Sequence, residues 1–173
     1  MKEPVLETER LILRPLTIKD AEDVFKWASD ERVAKYMIYP RHENIETTIA
    51  WLESLKDLPD NNFNWGFVLK DRGILIGSGG IYYKEDKKAW SFGYNFHHGF
   101  WGKGYATEAS KAMIDYAYKE QDARDFISEH AVENPRSVRV IEKCGLKFSH
   151  FEDYTKLDGS VTFKAKCYSM HLD

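Results

Sequence analysis

The sequence predicts a mixed α/β domain with a three-strand meander in its middle. The segments "NWGFVL", "ILIGSGGIYY" and "AWSFGYNF" are rich in β-branched and aromatic residues and are separated by turn-forming stretches, which is typical of consecutive strands. Before and after these segments, apolar residues recur with the spacing of one helical face. The predicted order is strand, two helices, three strands, helix, strand, helix and strands, so we expect helices packed on a mostly antiparallel sheet.

The N-terminal part is predicted to form a short strand and two helices. Residues 11–13, "LIL", form an apolar strand that Pro15 stops, and Thr17 with Asp20 resembles an N-cap pair at a helix start. A second helix is predicted over residues 45–57, after the polar and aromatic loop "MIYPRHEN". The apolar faces of the two helices are Ala21, Val24, Phe25 and Ala28, and Ile45, Ile49, Leu52 and Leu55.

The third strand of the meander alternates cleanly between two faces, as a half-buried strand does. One face carries Trp90, Phe92, Tyr94 and Phe96, and the other carries Ser91, Gly93, Asn95 and His97. A helix then continues to about Gln121, followed by a strand over residues 126–132 and a helix over residues 135–144. Two strand-like segments, around Phe148 and over residues 161–170, complete the predicted fold.

Size and composition indicate one globular domain over residues 1–173. The chain is 43% hydrophobic and 31% charged, with a net charge of -3, so nothing in its overall charge indicates nucleic acid or an anionic membrane as partner. The first residues, "MKEPVLETERL", lack the apolar core of a signal peptide, and no run is long enough to cross a bilayer. The sequence therefore predicts a cytoplasmic protein, and it leaves open whether the protein is a monomer or a homodimer.

The cysteine content indicates neither a disulfide framework nor a metal site. Cys144 and Cys167 stand alone, without a CxxC pair or a Cys/His ligand spacing. We therefore expect two free thiols and no bound metal.

The stretch "FWGKGYATEA" has the parts of an anion site at a helix start. Gly102 and Gly104 let the backbone approach a ligand closely, Lys103 adds a positive charge, and the following helix begins with unpaired N–H groups. Glycines at a helix start are equally typical of a plain structural turn. A dinucleotide fingerprint is disfavoured because Thr107 replaces its small residue and a meander precedes it, and a Walker A loop is absent.

Taken together, three stretches resemble the GCN5-related N-acetyltransferase (GNAT) family. They are "SFGYNF", "HHGFWGKGYATEA" and "HAVENPRSVRVIEKCGLKF", and the similarity extends from "ETERLILRPLTIKDAEDVFKW" to "CYSM". The closest branch includes the ribosomal-protein alanine and serine acetyltransferases. The resemblance implies the GNAT fold: a central, mostly antiparallel twisted sheet of about six to seven strands, splayed at strands 4 and 5 and flanked by about four helices.

The resemblance implies acetyl-coenzyme A (acetyl-CoA) as the cofactor. In the family, the loop before the helix supplies backbone N–H groups to the pyrophosphate, and the strand before that loop aligns the pantetheine arm through its main chain. Asn134 matches a family asparagine that meets the pantetheine, and Asn134 is also a plausible cap for the next helix. The implied cofactor residues are Asn95, Phe96, His97, Trp101, Gly102, Lys103, Gly104, Tyr105, Ala106, Asn134 and Ser137. Trp101 departs from the family's Gln or Arg.

The resemblance also implies the catalytic residues. Glu129 is the first candidate for the general base, with His97 and Glu152 in reserve, because Ser91 stands where many relatives carry a Glu. Ser137 is the candidate acid for the coenzyme A thiolate, because Ile141 replaces the usual Tyr. A solvated strand carboxylate and a hydrogen bond in the first helical turn remain the alternative roles of Glu129 and Ser137.

The implied reaction is transfer of an acetyl group to a primary amine, with a protein or peptide N-terminus as the first choice of acceptor. An α-amino group has a pKa near 7.8 and is about a tenth deprotonated at pH 7, so a modest base suffices. The family places acceptor contacts in the loop over residues 36–44, with Tyr39, Arg41 and His42, and around Tyr154. A small-molecule acceptor such as a polyamine, amino acid or antibiotic, and a non-catalytic acetyl-CoA-binding module, remain open alternatives.

Overall fold

The structure is a computed structural model that describes residues 2–173, and in this part of the chain eight strands form one sheet. The strand order is β1-β2-β3-β4-β5-β6-β8-β7, with β5 and β6 parallel and every other neighbouring pair antiparallel. The strands are β1 (Leu6–Glu7), β2 (Leu11–Arg14), β3 (Asn62–Leu69), β4 (Ile74–Lys84), β5 (Ala89–Phe96), β6 (Asp125–Ala131), β7 (Lys147–Thr155) and β8 (Thr162–His171).

Five α-helices flank the sheet within residues 2–173. They are α1 (Ala21–Ala28), α2 (Glu31–Ala34), α3 (Ile45–Ser54), α4 (Tyr105–Glu120) and α5 (Pro135–Lys143). The main core packs α4 and α5 on one face of the sheet, and a second core packs α1, α2 and α3 on the other. The alternation of strand side chains supplies both cores, since Ile76 of β4 points into the main core and its neighbour Leu75 into the second. Among the described residues, the helices are too short or too polar to span a membrane.

The predicted fold class is confirmed, and the sheet and helix counts need correction. The sheet has one strand more than expected because β1 contains only two residues, too few to show a period of two. The additional helix, α2, has four residues and is equally short for a helical period. The predicted strands 4 and 5 are therefore β5 and β6. The second predicted helix ends at Ser54, and Leu55–Asp57 continue as a 3-10 turn.

The splay between β5 and β6 is the feature of the fold that positions the site. The two strands pair only at Trp90 with Phe126 and Ser91 with Ile127, although β5 continues to Phe96 and β6 to Ala131. The hydroxyl of Ser128 closes the junction by donating to the carbonyl of Phe92, 3.3 Å away. Beyond this point the neighbouring edges of β5 and β6 are unpaired, so a gap opens in the middle of the sheet.

The antiparallel ladder between β4 and β5 determines which main-chain groups face this gap. The N–H of His97 donates to the carbonyl of Ile76 at 2.8 Å, and the register places Asn95 opposite Ser78. Hydrogen-bonding residues alternate along an antiparallel strand, so the main-chain groups of Tyr94 and Phe96 point away from β4 and toward β6.

Candidate active site

The loop between β5 and α4 folds as the glycine pattern predicts. Gly102 and Gly104 have φ angles of 74° and 83°, in the left-handed region that side chains rarely adopt, and Gly104 is the residue before the first turn of α4. A Cβ at Gly102 would meet nothing within 4 Å, whereas a Cβ at Gly104 would lie 3.3 Å from the guanidinium of Arg10. The first N–H groups of α4 have no acceptor within the helix, so this loop has the geometry of an anion site.

An ion-pair network that sequence reasoning missed holds the loop from below. Arg10 donates through Nε to the carboxylate of Glu108 at 2.8 Å and through Nη1 to the carbonyl of Lys103 at 2.8 Å. Its guanidinium also stacks over the ring of Tyr105, 4.3 Å from the centroid. Burial acts to raise the pKa of Glu108, but hydrogen bonds from Thr8 and Arg10 outweigh it and hold this pKa below the usual value. The sequence shows only that "ETER" contains Arg10 and "ATEA" contains Glu108. Opposite charges so far apart in the chain do not indicate that the two residues meet in space.

Trp101 connects the loop to both sides of the gap. Its indole N–H donates to the carbonyl of Phe96 at 2.9 Å, and the guanidinium of Arg136, in the first turn of α5, lies 4.8 Å from its ring centroid. Asn95 and His97, which were also expected to contact pantetheine, form hydrogen bonds within the protein. The N–H of His97 bonds β4, and the side-chain amide of Asn95 donates to the hydroxyl of Tyr39 at 2.8 Å.

The start of α5 brings three polar side chains together. The side-chain amide of Asn134 donates to the hydroxyl of Ser137 at 3.2 Å, and Ser137 lies near the hydroxyl of Tyr94 on β5. Burial raises the pKa of Tyr94 to about 12, while the nearby Ser137 hydroxyl acts in the opposite direction. Ile141, where many relatives have a Tyr, is 1% exposed in the main core. Sequence reasoning did not identify Tyr94 because the alternating pattern assigned it only to packing.

Glu129 lies on the sheet face opposite α4 and α5. The register of β5 and β6 places Ser91 and Ile127 on one face, so the period of two places Gly93 and Glu129 there as well. Both Gly93 and Glu129 are exposed, and a Cβ at Gly93 would meet no atom within 4 Å. The carboxylate of Glu129 therefore borders open space beside the gap; we call this side of the sheet, carrying Gly93, Glu129 and Cys167, the acceptor face.

The buried thiol of Cys167 lies between two carboxylates on the acceptor face. Its Sγ is 3.8 Å from Glu129 and 3.9 Å from Glu152. Burial, and then the charges of these two carboxylates, raise the pKa of Cys167 to about 11. The thiol is therefore protonated at neutral pH and is a poor nucleophile.

The loop between α2 and α3 covers part of the acceptor face and is tied down by the β7–β8 hairpin. The ammonium of Lys156 donates to three loop carbonyls, those of Ala34, Met37 and Tyr39, at 2.8, 2.7 and 3.3 Å. The hydroxyl of Tyr154 donates to the carbonyl of Tyr36 at 2.7 Å. Burial, followed by the nearby charges of Glu129 and Tyr36, raises the pKa of Tyr154 to about 12. Lys156 was not predicted because nothing in its sequence neighbourhood shows that its amine is enclosed by carbonyls.

Four other candidate residues have hydrogen-bond or ion-pair partners. His42 is buried and bonds the hydroxyl of Thr48 at 2.8 Å, while Arg41 forms exposed ion pairs. Of the two reserve bases, His97 accepts the N–H of Gly99 at 3.0 Å, and Glu152 pairs with Lys87 at 3.0 Å. Of the three candidate bases, Glu129 is exposed and forms no ion pair within the described residues.

Comparison with known proteins agrees with this geometry. Residues 10–147 match the sequence family described as "Acetyltransferase (GNAT) domain". The chain belongs to the GNAT acetyltransferase family. The GNAT protein described here is 30% identical over 146 residues to the uncharacterized N-acetyltransferase YnaD of Bacillus subtilis, covering 84% of each chain.

Solved structures show that the GNAT fold extends over nearly the whole chain. A GNAT-family acetyltransferase from Bacillus anthracis superimposes with a TM-score of 0.86 at 26% identity, covering 97% of this chain and 98% of the other. The microcin C7 self-immunity acetyltransferase MccE, solved in complex with acetyl-CoA and AMP, has a TM-score of 0.80 at 17% identity, covering 95% and 94%. At this identity the similarity to MccE concerns the fold.

Proposed function

We propose that this GNAT acetyltransferase transfers the acetyl group of acetyl-CoA to the α-amine of a protein or peptide N-terminus. The observation that carries the proposal is the gap between β5 and β6. The glycine loop lies at one end of the gap, and Glu129 lies beside it on the acceptor face. An anion site and a carboxylate on the two sides of one opening are what a reaction between acetyl-CoA and an amine requires.

The residues present fit the cofactor. The pyrophosphate would accept hydrogen bonds from the backbone of residues 101–106, where the left-handed Gly102 and Gly104 keep the approach free of side chains. The main-chain groups of Tyr94 and Phe96 point away from β4 and into the gap, whereas those of Asn95 and His97 face β4. The pantetheine arm would therefore hydrogen-bond Tyr94 and Phe96. One acceptor position of the Phe96 carbonyl is already taken by Trp101, and a carbonyl has two.

The chain's own groups divide the proton transfers between the two faces of the sheet. When bound, acetyl-CoA supplies a thioester carbonyl that an amine can attack. Glu129 accepts the proton of the incoming ammonium, directly or through water, in the space that Gly93 leaves open. On the opposite face, the hydroxyls of Ser137 and Tyr94 lie near each other, and they supply the proton to the departing thiolate.

The preference for an N-terminal amine follows from the kind of base available. Glu129 is an exposed carboxylate, and an amine with a pKa near 7.8 has a far larger deprotonated fraction at pH 7 than a lysine near 10.4, so it depends less on the base. Assignment to the ribosomal-protein branch stays a prediction from sequence resemblance. Small-molecule amines and a cofactor-binding module without turnover are the alternatives that an experiment must separate.

A panel of acceptors at saturating acetyl-CoA tests this function. Release of coenzyme A thiol and the mass of the product are measured with alanine- and serine-initiated peptides, with the same peptides N-acetylated as blocked controls, and with polyamines and free amino acids. We expect release with the free peptides alone. Turnover only with small amines would transfer the assignment to that class, and no release with any amine would contradict the catalytic proposal.

Cofactor choice is measured separately by thermal unfolding. We expect acetyl-CoA to raise the melting temperature, since a ligand that binds only the folded state stabilises it, and NAD to leave it unchanged. The reverse pattern would mean that the glycine loop holds a dinucleotide.

A further inference from the structure

We propose that the acceptor face carries a binding site for a zinc-like divalent metal ion, formed by His150, Glu152 and Cys167. His150 and Glu152 belong to β7 and Cys167 to the adjacent β8. The His150 imidazole, a Glu152 carboxylate oxygen and the Cys167 sulfur each offer one ligand atom, and these atoms all lie within 4.8 Å of one another. Nitrogen, oxygen and sulfur donors in one cluster are the ligand types that Zn²⁺ uses in proteins.

The separations between the ligand atoms fit a tetrahedral ion. Zinc bonds of about 2.0–2.3 Å at tetrahedral angles place neighbouring ligand atoms roughly 3.4–3.6 Å apart. In the structure, Nε2 of His150 is 3.3 Å from Oε2 of Glu152, and Sγ of Cys167 is 3.9 Å from the same oxygen. These two separations are within about half an ångström of the tetrahedral spacing, and the third, between His150 and Cys167, is at most 4.8 Å and must shorten when an ion binds. The fourth position is open to solvent because His150 and Glu152 are exposed.

A β-bulge brings His150 into the cluster. The register between β7 and β8 shifts between Phe148 and His150, so His150 is paired with Cys167 and Ser149 is the extra residue. In a regular ladder without the bulge, His150 would pair with Lys166 and its side chain would point to the opposite face of the sheet. The hydroxyl of Ser149 lies 3.0 Å from Nδ1 of His150, which orients the ring and leaves Nε2 for the metal, as outer-shell partners of metal-binding histidines do.

The local charges also favour a cation. The carboxylates of Glu129 and Glu152 approach the Cys167 sulfur from two sides, at 3.8 and 3.9 Å. The ammonium of Lys87 pairs with Glu152 at 3.0 Å and thereby competes with a metal for the same oxygens. Lys87 extends from the exposed β4–β5 turn, so its side chain can move away when an ion binds.

Metal binding at this site affects the proposed reaction, and this step rests on the proposed function. An ion bound to Cys167 lies next to Glu129 and attracts its carboxylate, which then no longer accepts a proton from the acceptor amine. Zn²⁺ should therefore inhibit acetyl transfer without preventing acetyl-CoA binding on the other side of the gap.

Binding of the ion breaks the S–H bond of Cys167 and releases that proton to solvent as the metal–sulfur bond forms. Metal binding is tested first without cofactor or acceptor, on tag-free, reduced protein. Co²⁺ is titrated as a spectroscopic probe, and Zn²⁺ is titrated by calorimetry. We expect one equivalent of Co²⁺ to give tetrahedral visible bands and a near-ultraviolet thiolate-to-cobalt band, both displaced by Zn²⁺. Absence of the thiolate band at stoichiometric Co²⁺ would overturn the proposal.

Matched variants assign the ligands. Cys167→Ser should abolish the thiolate band, and His150→Ala should weaken Zn²⁺ binding more than roughly tenfold, since loss of even an outer-shell partner does so. Cys144→Ser and His171→Ala remove the other free thiol and another exposed histidine and should leave binding unchanged. Lys87→Ala should strengthen binding because the competing ammonium is gone. If Cys167→Ser does not fold, the surface variant His150→Ala decides, and wild-type affinity in it would refute the site.

Turnover measurements then separate this proposal from the proposed function. Zn²⁺ should inhibit acetyl transfer by the wild type and by His171→Ala, and much less by His150→Ala. Metal binding that leaves wild-type turnover unchanged would refute the overlap with the acceptor site. Absence of turnover in metal-free protein with every acceptor would contradict the proposed function, while the cobalt spectra would still decide the metal site.

Discussion

In the proposed reaction, single residues on the two faces of the sheet have separate roles. Glu129 borders open space on the acceptor face, whereas Ser137 lies near Tyr94 on the face that packs against α4 and α5. The glycine loop adds a backbone requirement at Gly102 and Gly104. Substitution of Glu129 or Ser137 should therefore change turnover without changing cofactor binding, and substitution in the glycine loop should change cofactor binding.

Glu129→Gln should lower kcat about 100-fold or more, with acetyl-CoA affinity unchanged, because a general base contributes roughly 10²–10⁴-fold. Steady-state kinetics and calorimetry check this, with Glu85→Gln in the exposed β4–β5 turn as control. A kcat equal to that of the control would remove Glu129 as the base.

Gly104→Val should abolish acetyl-CoA binding. Its φ of 83° disfavours a side chain, and the new Cβ would meet Arg10 at 3.3 Å, so the loop must rearrange. Gly73→Val is the matched control because Gly73 has a φ of 64° in a distant turn with open space around it. Both variants should lose about 1–2 kcal/mol of unfolding free energy. Calorimetry should find binding in Gly73→Val alone; retained affinity in Gly104→Val would show that the cradle is misassigned.

At the scale of elements, the first turn of α4 is joined to the N-terminal hairpin β1–β2 by Glu108. Its carboxylate accepts hydrogen bonds from the Arg10 main chain at 2.9 Å and from the Arg10 side chain at 2.8 Å. Arg10 also holds the carbonyl of Lys103 in the glycine loop. The hairpin thereby positions the glycine loop, more than ninety residues away in sequence.

Glu108→Gln should lower the free energy of unfolding by roughly 1 kcal/mol at pH 7, the net value of a partly exposed charged hydrogen bond. The pKa of Glu108 is lowered in the folded protein, so its contribution is complete above the unfolded pKa of about 4.3 and is lost as the pH falls through the folded pKa. Urea unfolding at pH 7 and below pH 4 measures this. Asp115→Asn, which breaks an exposed pair with Lys119, should cost less than about 0.5 kcal/mol. An equal effect of both variants, or a difference that persists at low pH, would contradict the assignment.

At the scale of the whole molecule, segments from distant parts of the sequence cover part of the acceptor face. The loop between α2 and α3 lies over the face, and the β7–β8 hairpin holds it through Lys156. Burial lowers the pKa of Lys156, and the three carbonyls around its ammonium satisfy its donors.

Lys156→Met should raise the KM for the acceptor roughly tenfold, equivalent to about 1.4 kcal/mol, with acetyl-CoA affinity unchanged. Methionine keeps much of the apolar stem but cannot bond the loop carbonyls, so the loop loses its tie to the hairpin. Lys164→Met on the exposed part of β8 is the control. Kinetics with the best acceptor of the panel measure the change; an unchanged KM would exclude this loop from acceptor binding.

The outcome of sequence reasoning depended on whether a feature is local. The sequence predicted the meander, the glycine loop and the helices α1, α3, α4 and α5. Periodicity and turn residues are properties of neighbouring residues, so they can be recognised in the sequence. The two-residue β1 and the four-residue α2 were missed because they are shorter than any period. Tyr94 beside Ser137 and Lys156 among carbonyls were missed because their contacts are made by residues far apart in the chain.

The sequence by itself determined the fold class, the glycine loop before α4 and the family to which the chain belongs, because each of these depends on short stretches of neighbouring residues. Only the tertiary structure decided which groups meet across strands. The splay of β5 and β6 orients Tyr94 and Phe96 toward the gap, and a bulge of one residue aligns His150 with Cys167. Strand register is set by packing of the whole sheet, and a one-residue shift moves a side chain to the opposite face. For that reason the spacing of the cysteines along the chain predicted no metal site. In space, however, Cys167 lies with His150 and Glu152 in a candidate metal site.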